Sequence, residues 1–255
     1  MQTKIRVNII GAGNVATHLS KALFTAGIEI VSVFSRDFIN ARALSHQFGA
    51  KDVDAIEDVD DNVDLNIVTV KDEAIGLAAL KLPKNIPVVH TSGSASIYVF
   101  EGFNSYGVLY PLQTFSKQRA LDIAAIPFLI EGNSIEFESW ILNFASTYLS
   151  ENVHSADSKK RGQIHIAAVI ACNFTTQLLK ESDNILQQVD LDISLLHPLI
   201  KETLEKVIEL GPKEALTGPA KRGDLETIEK HIKQINDEEL RELYKRLSNR
   251  IIANI

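Results

Sequence analysis

The pattern of hydrophobic and polar residues divides the chain into two parts of different character. Up to about residue 155, short apolar runs typical of buried strands alternate with segments whose apolar residues recur at helical spacing. Strands alternating with helices imply a parallel sheet covered on both faces. The predicted strands are residues 4–10, 29–34, 64–70, 87–91, 106–110 and 126–130, and the predicted helices are residues 15–25, 39–48, 72–80 and 135–149.

Beyond residue 157 the pattern predicts helices only, at residues 158–188, 193–210, 225–235 and 237–253. The predicted fold class is therefore α/β, with a doubly wound Rossmann domain at residues 1–155 followed by an all-helical domain at residues 156–255. The first of these helices is long and rich in alanine and leucine. It needs more apolar cover than four or five helices provide, which predicts a homodimer formed through the helical domain.

The turn between the first strand and the first helix is rich in small residues. Gly11 permits a tight turn, Gly13 lets a pyrophosphate approach the backbone, and Ala16 lets the helix pack closely on the strand. The start of the helix offers unpaired N–H groups and the positive end of its dipole to phosphate. We therefore expect a dinucleotide here, bound by the turn residues Gly11, Ala12, Gly13, Asn14 and Val15. The alternative is a tight strand–helix turn without a ligand.

The residues after the second strand bear on the choice between NAD and NADP. An NAD site usually places a carboxylate there, which accepts a hydrogen bond from the ribose 2′-hydroxyl. This chain has Ser35 and Arg36, which suit a 2′-phosphate because a guanidinium binds phosphate bidentately. NADP(H) is therefore the expected cofactor. Two alternatives stay open: Asp37 is the carboxylate of an NAD site, or Arg36 is a solvated loop residue.

Other polar residues follow further strands of the predicted sheet. Val70 ends the strand at residues 64–70, and Thr91 and Ser92 end the strand at residues 87–91. Ligands of doubly wound sheets bind at the carboxyl ends of the strands, so these residues are expected to line the cofactor site. An ordinary turn at Gly93 is the alternative for the second segment.

Composition narrows the classes of function. A net charge of −7, with no basic block to offset it, argues against nucleic acid or an anionic membrane as a partner. The single cysteine, Cys172, excludes an intrachain disulfide and fits a reducing compartment. No apolar run approaches a membrane span and no signal peptide precedes the first strand, so a cytoplasmic protein is expected. The histidines do not fall into metal-ligand spacings, so no metal site is expected.

Further motifs run along most of the chain, and the set comprises residues 11–15, 35–36, 90–93, 111–115, 215–219 and 222–224, together with His165 and Asn173. Together they resemble the NADP-dependent oxidoreductase superfamily that includes pyrroline-5-carboxylate reductase, ketopantoate reductase and 6-phosphogluconate dehydrogenase. The chain resembles more closely a bacterial branch that joins a Rossmann-like domain to a helical, 6-phosphogluconate-dehydrogenase-like domain of unknown function. Its N-terminal half is also similar to oxidoreductases that pair NADP with the deazaflavin F420.

His165 and Asn173 are the catalytic candidates, because hydride transfer to a carbonyl or imine needs a proton donor and orientation. They lie eight residues apart on one predicted helix, roughly 80° apart around its axis, so they share a broad face. We expect His165 to donate a proton or hydrogen bond to the substrate, and Asn173 to orient the substrate or the nicotinamide. The alternative for His165 is a bridge between buried helices.

The chain departs from its relatives in two places. The branch typically has a histidine where this chain has Tyr110, which puts any catalytic role of that position in doubt. The lysine–asparagine spacing of the hydroxyacid dehydrogenases is also absent. Lys159, Lys160 and Arg161 are therefore interpreted as a solvated, cationic start to the helix.

The candidates for substrate contacts lie in two loops. Gln113 and Thr114 follow the strand at residues 106–110, and Arg222 lies in a loop rich in Gly and Pro. Arg222 either binds an anionic group of the substrate or pairs with Asp224 to hold its loop.

The expected function is that of an NADP(H)-dependent oxidoreductase, acting on a small keto or imino compound in an interdomain cleft. A non-catalytic NADP(H)-binding module that reports redox state to a protein partner is the rival hypothesis. Reduction of a deazaflavin, which needs a wide cleft for a second large cofactor, is a third.

Overall fold

The computed structural model describes residues 4–254, and the chain divides into two compact units, Met1–Cys172 and Asn173–Ile255. The first unit extends beyond the last strand, because it includes one helix of the region that the sequence assigns to the helical domain. The predicted domain boundary at residue 155 stays a prediction.

The first unit is built on an eight-stranded sheet with the order β3-β2-β1-β4-β5-β6-β7-β8. Strands β1 to β6 are mutually parallel, so their carboxyl ends meet at one edge of the sheet. The strand order reverses between β1 and β4, which is where ligands bind in doubly wound folds. The strands are β1 (Arg6–Ile10), β2 (Glu29–Phe34), β3 (Lys51–Val53), β4 (Leu65–Val68), β5 (Val88–His90), β6 (Tyr106–Pro111), β7 (Phe128–Gly132) and β8 (Val153–Ser155).

The helices follow the predicted pattern closely. The first unit has α1 (Asn14–Thr25), α2 (Phe38–Ser45), α3 (Asp72–Lys81), α4 (Ile135–Tyr148) and α5 (Ser158–Ala168). A π-helical segment, Val169–Phe174, continues α5 across the division between the units. The second unit has α6 (Thr175–Gln187), α7 (His197–Leu210), α8 (Pro212–Ala215), α9 (Pro219–Arg222), α10 (Leu225–Gln234) and α11 (Glu238–Ile252).

The sheet differs from the expected parallel arrangement at its far edge, where β7 runs antiparallel to β6. The connection between these strands contains a short 3₁₀ turn, Ile123–Ala125, and no helix. A parallel pair needs a long crossover, usually a helix, so the chain reverses direction here. Strands β3 and β8 were not predicted, because each has three residues of which at most one is buried, whereas the equally short β5 is buried throughout.

The buried apolar residues are concentrated in the first unit. Strands β1 and β4 are buried on both faces, and Ala16, Leu19 and Leu23 of α1 pack against them. In the second unit, the buried apolar residues among those described are Ala215, Ala220 and Ile228, and neither α6 nor α7 buries a residue. Within residues 4–254, no helix is both long enough and apolar enough to cross a membrane.

Candidate functional site

The glycine turn after β1 has a geometry that only glycine accommodates at its first position. Gly11 has φ of 128°, and its N–H donates to the Phe34 carbonyl at 2.7 Å. A Cβ at Gly11 would lie 2.5 Å from Oγ1 and 2.9 Å from the carbonyl carbon of Thr69. The turn is thereby held tightly between the ends of β2 and β4.

Gly13 has the opposite surroundings, because a Cβ there would meet no atom within 4 Å. It is the N-cap of α1, and no side chain caps the helix. Asn14, the first helical residue, instead donates its side-chain N–H to the Phe115 carbonyl at 2.8 Å. The N–H groups at the start of α1 therefore have no side-chain cap, and a bound pyrophosphate could accept from them.

One pocket joins the glycine turn to the ends of β2 and β4. Of the residues predicted to bind the cofactor, the pocket includes Gly11, Ala12, Gly13, Ser35, Arg36 and Val70. Thr69, Lys71 and Asp37 also line it. Thr69 was missed from the sequence, although it precedes Val70 at the same strand end.

Asp37 is committed to the start of α2. Its Oδ1 accepts a hydrogen bond from the N–H of Ile39 at 3.1 Å, and its Oδ2 accepts one from the Asn40 side chain at 2.6 Å. Both carboxylate oxygens are thus used to cap a helix, which opposes the NAD alternative. Arg36 is exposed, and it makes no hydrogen bond or ion pair with the described residues.

A second polar cluster follows β5. The hydroxyl of Ser92 accepts hydrogen bonds from the N–H groups of Ser94 at 3.1 Å and Ala95 at 2.9 Å. The Thr91 hydroxyl donates to the Val68 carbonyl at 3.5 Å. Ser92 therefore shapes its own loop, and its predicted contact with the cofactor stays a prediction, as does that of Thr91.

This loop contacts a pair formed by Tyr110 of β6 and His165 of α5. The Tyr110 hydroxyl lies 3.0 Å from Nδ1 of His165. A Cβ at Gly93 would lie 2.6 Å from that Nδ1 and 2.8 Å from Cζ of Tyr110, so Gly93 allows the three elements to meet. The tyrosine that replaces the histidine of relatives is therefore a partner of the predicted catalytic residue.

Burial raises the pKa of Tyr110, and the nearby positive charge of Arg161 partly offsets this effect. The phenol is therefore protonated at neutral pH. A protonated hydroxyl can donate to Nδ1 of a neutral imidazole, or accept from Nδ1–H of a charged one.

Arg161 is not the solvated residue that the sequence indicated, since its side chain is only 1% exposed. The interpretation is wrong for Arg161 alone, because Lys159 and Lys160 are exposed. Arg161 forms an ion pair with Glu131 of β7 and donates to the Ala95 carbonyl at 2.5 Å. It lies one helical turn before His165, so it ties the loop after β5 to the helix that carries the histidine.

His90, at the end of β5, is fully buried beneath this loop. Its Nδ1 accepts a hydrogen bond from the Ser92 N–H at 3.1 Å, so the proton of the neutral ring lies on Nε2. Burial, reinforced by the charge of Arg161, lowers the pKa of His90 to about 4. The ring is therefore neutral at physiological pH and has a structural contact with the loop.

Two family models match different stretches of the chain. A family model described as shikimate/quinate 5-dehydrogenase matches residues 2–76, and a domain of unknown function, DUF2520, matches residues 126–251. A solved structure from Bacteroides fragilis, provisionally assigned as an NADP oxidoreductase, is 40% identical with a TM-score of 0.90, and the match covers 98% of each chain. The chain belongs to this family of NADP oxidoreductases.

More distant relatives share the fold of this oxidoreductase family. A Thermotoga maritima protein is 25% identical, with a TM-score of 0.73, over 97% of this chain and 98% of its own. A pyrroline-5-carboxylate reductase from Streptococcus pyogenes is 12% identical, with a TM-score of 0.65, over 98% of this chain and 99% of its own, and it shows the fold alone. No curated protein sequence matches significantly. The predicted family and fold class are confirmed.

The other candidate residues, Asn173, Gln113, Thr114 and Arg222, take no part in the contacts described above. Asn173 is exposed in the π-helical segment, so the angle predicted from 3.6 residues per turn does not apply to it. Gln113 accepts a hydrogen bond from the N–H of Thr114 at 2.8 Å, and both side chains are exposed.

Arg222 ends α9 and is exposed, while Asp224 caps α10 by accepting from the Thr227 N–H at 3.1 Å. An ion pair between Arg222 and Asp224 does not form among the described residues. Within residues 4–254, no group of three or more His, Cys, Asp or Glu side chains is arranged to hold a metal ion.

Proposed function

We propose that the chain binds NADP(H) across the glycine turn and reduces a small keto or imino compound, with His165 as the proton donor. The observation that carries this proposal is the contact of Tyr110, His165 and Gly93 beside the ends of β5 and β6. Those ends lie at the same sheet edge as the glycine turn. A titratable pair is thus available beside the expected cofactor site.

Different residues of the site suit different parts of the cofactor. The open space at Gly13 and the uncapped start of α1 suit the pyrophosphate. Arg36, which has no competing acidic partner, suits the 2′-phosphate. When bound, the cofactor supplies a hydride. The loop at Thr91 and Ser92 is expected to line the nicotinamide side.

The role proposed for His165 follows from its hydrogen bond to Tyr110. With Nδ1 held by the tyrosine, Nε2 is the ring nitrogen that can face a substrate oxygen or nitrogen. A doubly protonated ring can pass its Nε2 proton to the substrate atom that gains negative charge as the carbonyl or imine is reduced, which leaves a neutral ring with its proton on Nδ1. Tyr110 keeps the ring oriented before and after this transfer, since its oxygen accepts from Nδ1–H in both states.

Replacing Arg36 by alanine is expected to weaken NADPH binding roughly tenfold to a hundredfold, because a charge-assisted contact with the 2′-phosphate is lost. NADH binding should be unchanged. Titration of nicotinamide fluorescence measures both affinities. Asp37→Asn is the control, because the amide retains an oxygen for capping α2. Preferred binding of NADH by the wild-type chain would contradict the assignment of Arg36.

Replacing His165 by phenylalanine is expected to lower turnover by about 10²- to 10⁴-fold, as loss of a general acid does, with NADPH affinity unchanged. Tyr110→Phe should lower turnover less, by about tenfold. The double variant should have nearly the same turnover as His165→Phe alone, because the two residues act as a pair. Substrates are first identified by screening keto and imino compounds for NADPH consumption. Full turnover by His165→Phe would exclude the proposed role.

The rival functions are outcomes of the same screen. Tight NADPH binding without consumption of any carbonyl or imine would favour the redox-sensing module. Consumption that depends on an added deazaflavin would favour the third hypothesis. The predicted interdomain cleft, and substrate contacts from Asn173, Gln113, Thr114 and Arg222, stay predictions.

We further propose that the second unit forms a homodimer. Leu204 and Ile208 of α7 lie one turn apart on one face of the helix and are each more than half exposed, and the unit buries too few apolar residues to stabilise itself alone. A second copy of the chain supplies an equivalent apolar face, as expected for a symmetric interface. These exposed side chains are the surface that a second copy would cover.

Light scattering at micromolar concentration is expected to give twice the mass of the chain. Ile208→Lys should shift the mass towards the monomer, because it places a charge within the apolar surface. Glu202→Lys introduces the same residue roughly 120° or more around the helix from both Leu204 and Ile208, and it should leave the mass unchanged. A wild-type monomer would refute the dimer.

A further inference from the structure

The segment after β6 crosses the start of α1 and is held there by three side-chain hydrogen bonds. The Asn14 side chain donates to the Phe115 carbonyl at 2.8 Å, and Nε2 of His18 lies 2.9 Å from the Ser116 carbonyl. The Lys117 ammonium donates to the Ala12 carbonyl at 3.0 Å. The rings of His18 and Phe115 also lie in contact, with centroids 5.5 Å apart. The segment is thus fixed against the glycine turn.

This arrangement brings a full positive charge to the middle residue of the turn. The Ala12 carbonyl belongs to the same peptide unit as the N–H of Gly13. The carbonyl and the N–H of a trans peptide unit point in opposite directions, so the ammonium must leave the Ala12 carbonyl to reach a phosphate bound at the N–H. A single neutral carbonyl is a weak reason to order an exposed lysine side chain, whereas a phosphate oxygen makes a much stronger, charge-assisted bond.

The approach of Lys117 differs from that of the other cations at the turn. Arg36 and Lys71 line the pocket that contains the glycines. Lys117 lines a neighbouring cavity along α1, together with His18, Lys21 and Arg119. It therefore reaches the turn from the side of α1, where the helix itself offers only the partial charge of its dipole.

We propose that, when the dinucleotide binds, Lys117 exchanges its bond to the Ala12 carbonyl for one to the pyrophosphate. The proposal rests on the placement of NADP(H) at the glycine turn. It assigns to Lys117 the phosphates common to both dinucleotides, while Arg36 contacts the phosphate that distinguishes NADPH from NADH.

The test measures the binding of three ligands to two variants. Lys117→Met is expected to weaken NADPH and NADH by the same factor, about tenfold or more, and to leave adenosine 2′-monophosphate unaffected because that ligand lacks a pyrophosphate. Arg36→Ala should weaken NADPH and adenosine 2′-monophosphate and leave NADH unaffected. Lys117→Arg should retain most of the affinity. Arg119→Met, in the same segment, is the control without an expected effect.

A purely structural role for Lys117 would give different results. Loosening of the segment would lower the unfolding midpoint and would leave the salt dependence of NADPH binding as in the wild type. Loss of a charge–phosphate contact would make that dependence shallower, because screening acts on one charge fewer. Unchanged NADPH affinity in Lys117→Met, or a loss carried by Lys71→Met instead, would overturn this proposal alone. Failure of the wild-type chain to bind NADPH would overturn the cofactor site as well.

Discussion

Replacing Arg161 by methionine is expected to lower the free energy of unfolding by about 3–5 kcal/mol. Arg161 is 1% exposed and its ion-pair partner Glu131 is 13% exposed, so the variant would leave a buried carboxylate without a cation. The Ala95 carbonyl would also lose the guanidinium donor that lies 2.5 Å away. The measurement is urea unfolding followed by circular dichroism at fixed protein concentration.

The exposed ion pair of Lys81 and Glu57 provides the matched control. Its atoms lie 2.9 Å apart and both side chains are 51% exposed, so Lys81→Met should cost less than about 1 kcal/mol. Removing both buried charges, in Arg161→Met with Glu131→Leu, should restore part of the lost stability because no unpaired charge remains. If Arg161→Met and Lys81→Met lowered the free energy of unfolding equally, the buried ion pair would contribute no more to stability than the exposed one.

The second large effect concerns the two glycines of the turn, which should respond in opposite ways. Gly13→Ala is expected to leave the unfolding midpoint close to that of the wild type, since its Cβ meets no atom within 4 Å. It should nevertheless weaken NADPH binding about a hundredfold or more, because the methyl group occupies the space through which the pyrophosphate approaches.

Gly11→Ala should instead destabilise the fold. Its Cβ would lie 2.5 Å from the Thr69 side chain and 2.9 Å from the Thr69 backbone, at a φ of 128° that disfavours any residue with a Cβ. Strain of this kind costs about 1–3 kcal/mol. Thermal unfolding and fluorescence titration of the two variants separate the effects. If Gly13→Ala bound NADPH as tightly as the wild type, the placement of the pyrophosphate at Gly13 would be contradicted.

Local periodicity predicted the long elements well and the short edge strands poorly. Strand β2 spans the predicted residues 29–34, and α4 ends within one residue of its prediction. Strands β3 and β8 have three residues each, and such edge strands form because a neighbouring strand offers hydrogen-bonding groups. Their existence depends on tertiary pairing that a local pattern does not contain.

The residues that meet in the pocket at the glycine turn were predictable because the motif is local, whereas the residues around His165 were not. Tyr110 and His165 are separated by 55 positions, and Arg161 pairs with Glu131 across 30, so their contacts depend on how β6, β7 and α5 pack. The capping role of Asp37 could have been predicted from the sequence. An aspartate immediately before a helix commonly caps it, and that preference competes with binding ribose.

The uneven distribution of strands along the chain has a consequence for its synthesis. All eight strands of the sheet lie within the first 155 residues, and they include most of the buried apolar core. The whole sheet therefore leaves the ribosome before residues 173–255 emerge, and the first unit can fold during translation. The helices that follow emerge with their apolar side chains uncovered. This apolar surface is therefore the part of the newly made chain that is most open to aggregation.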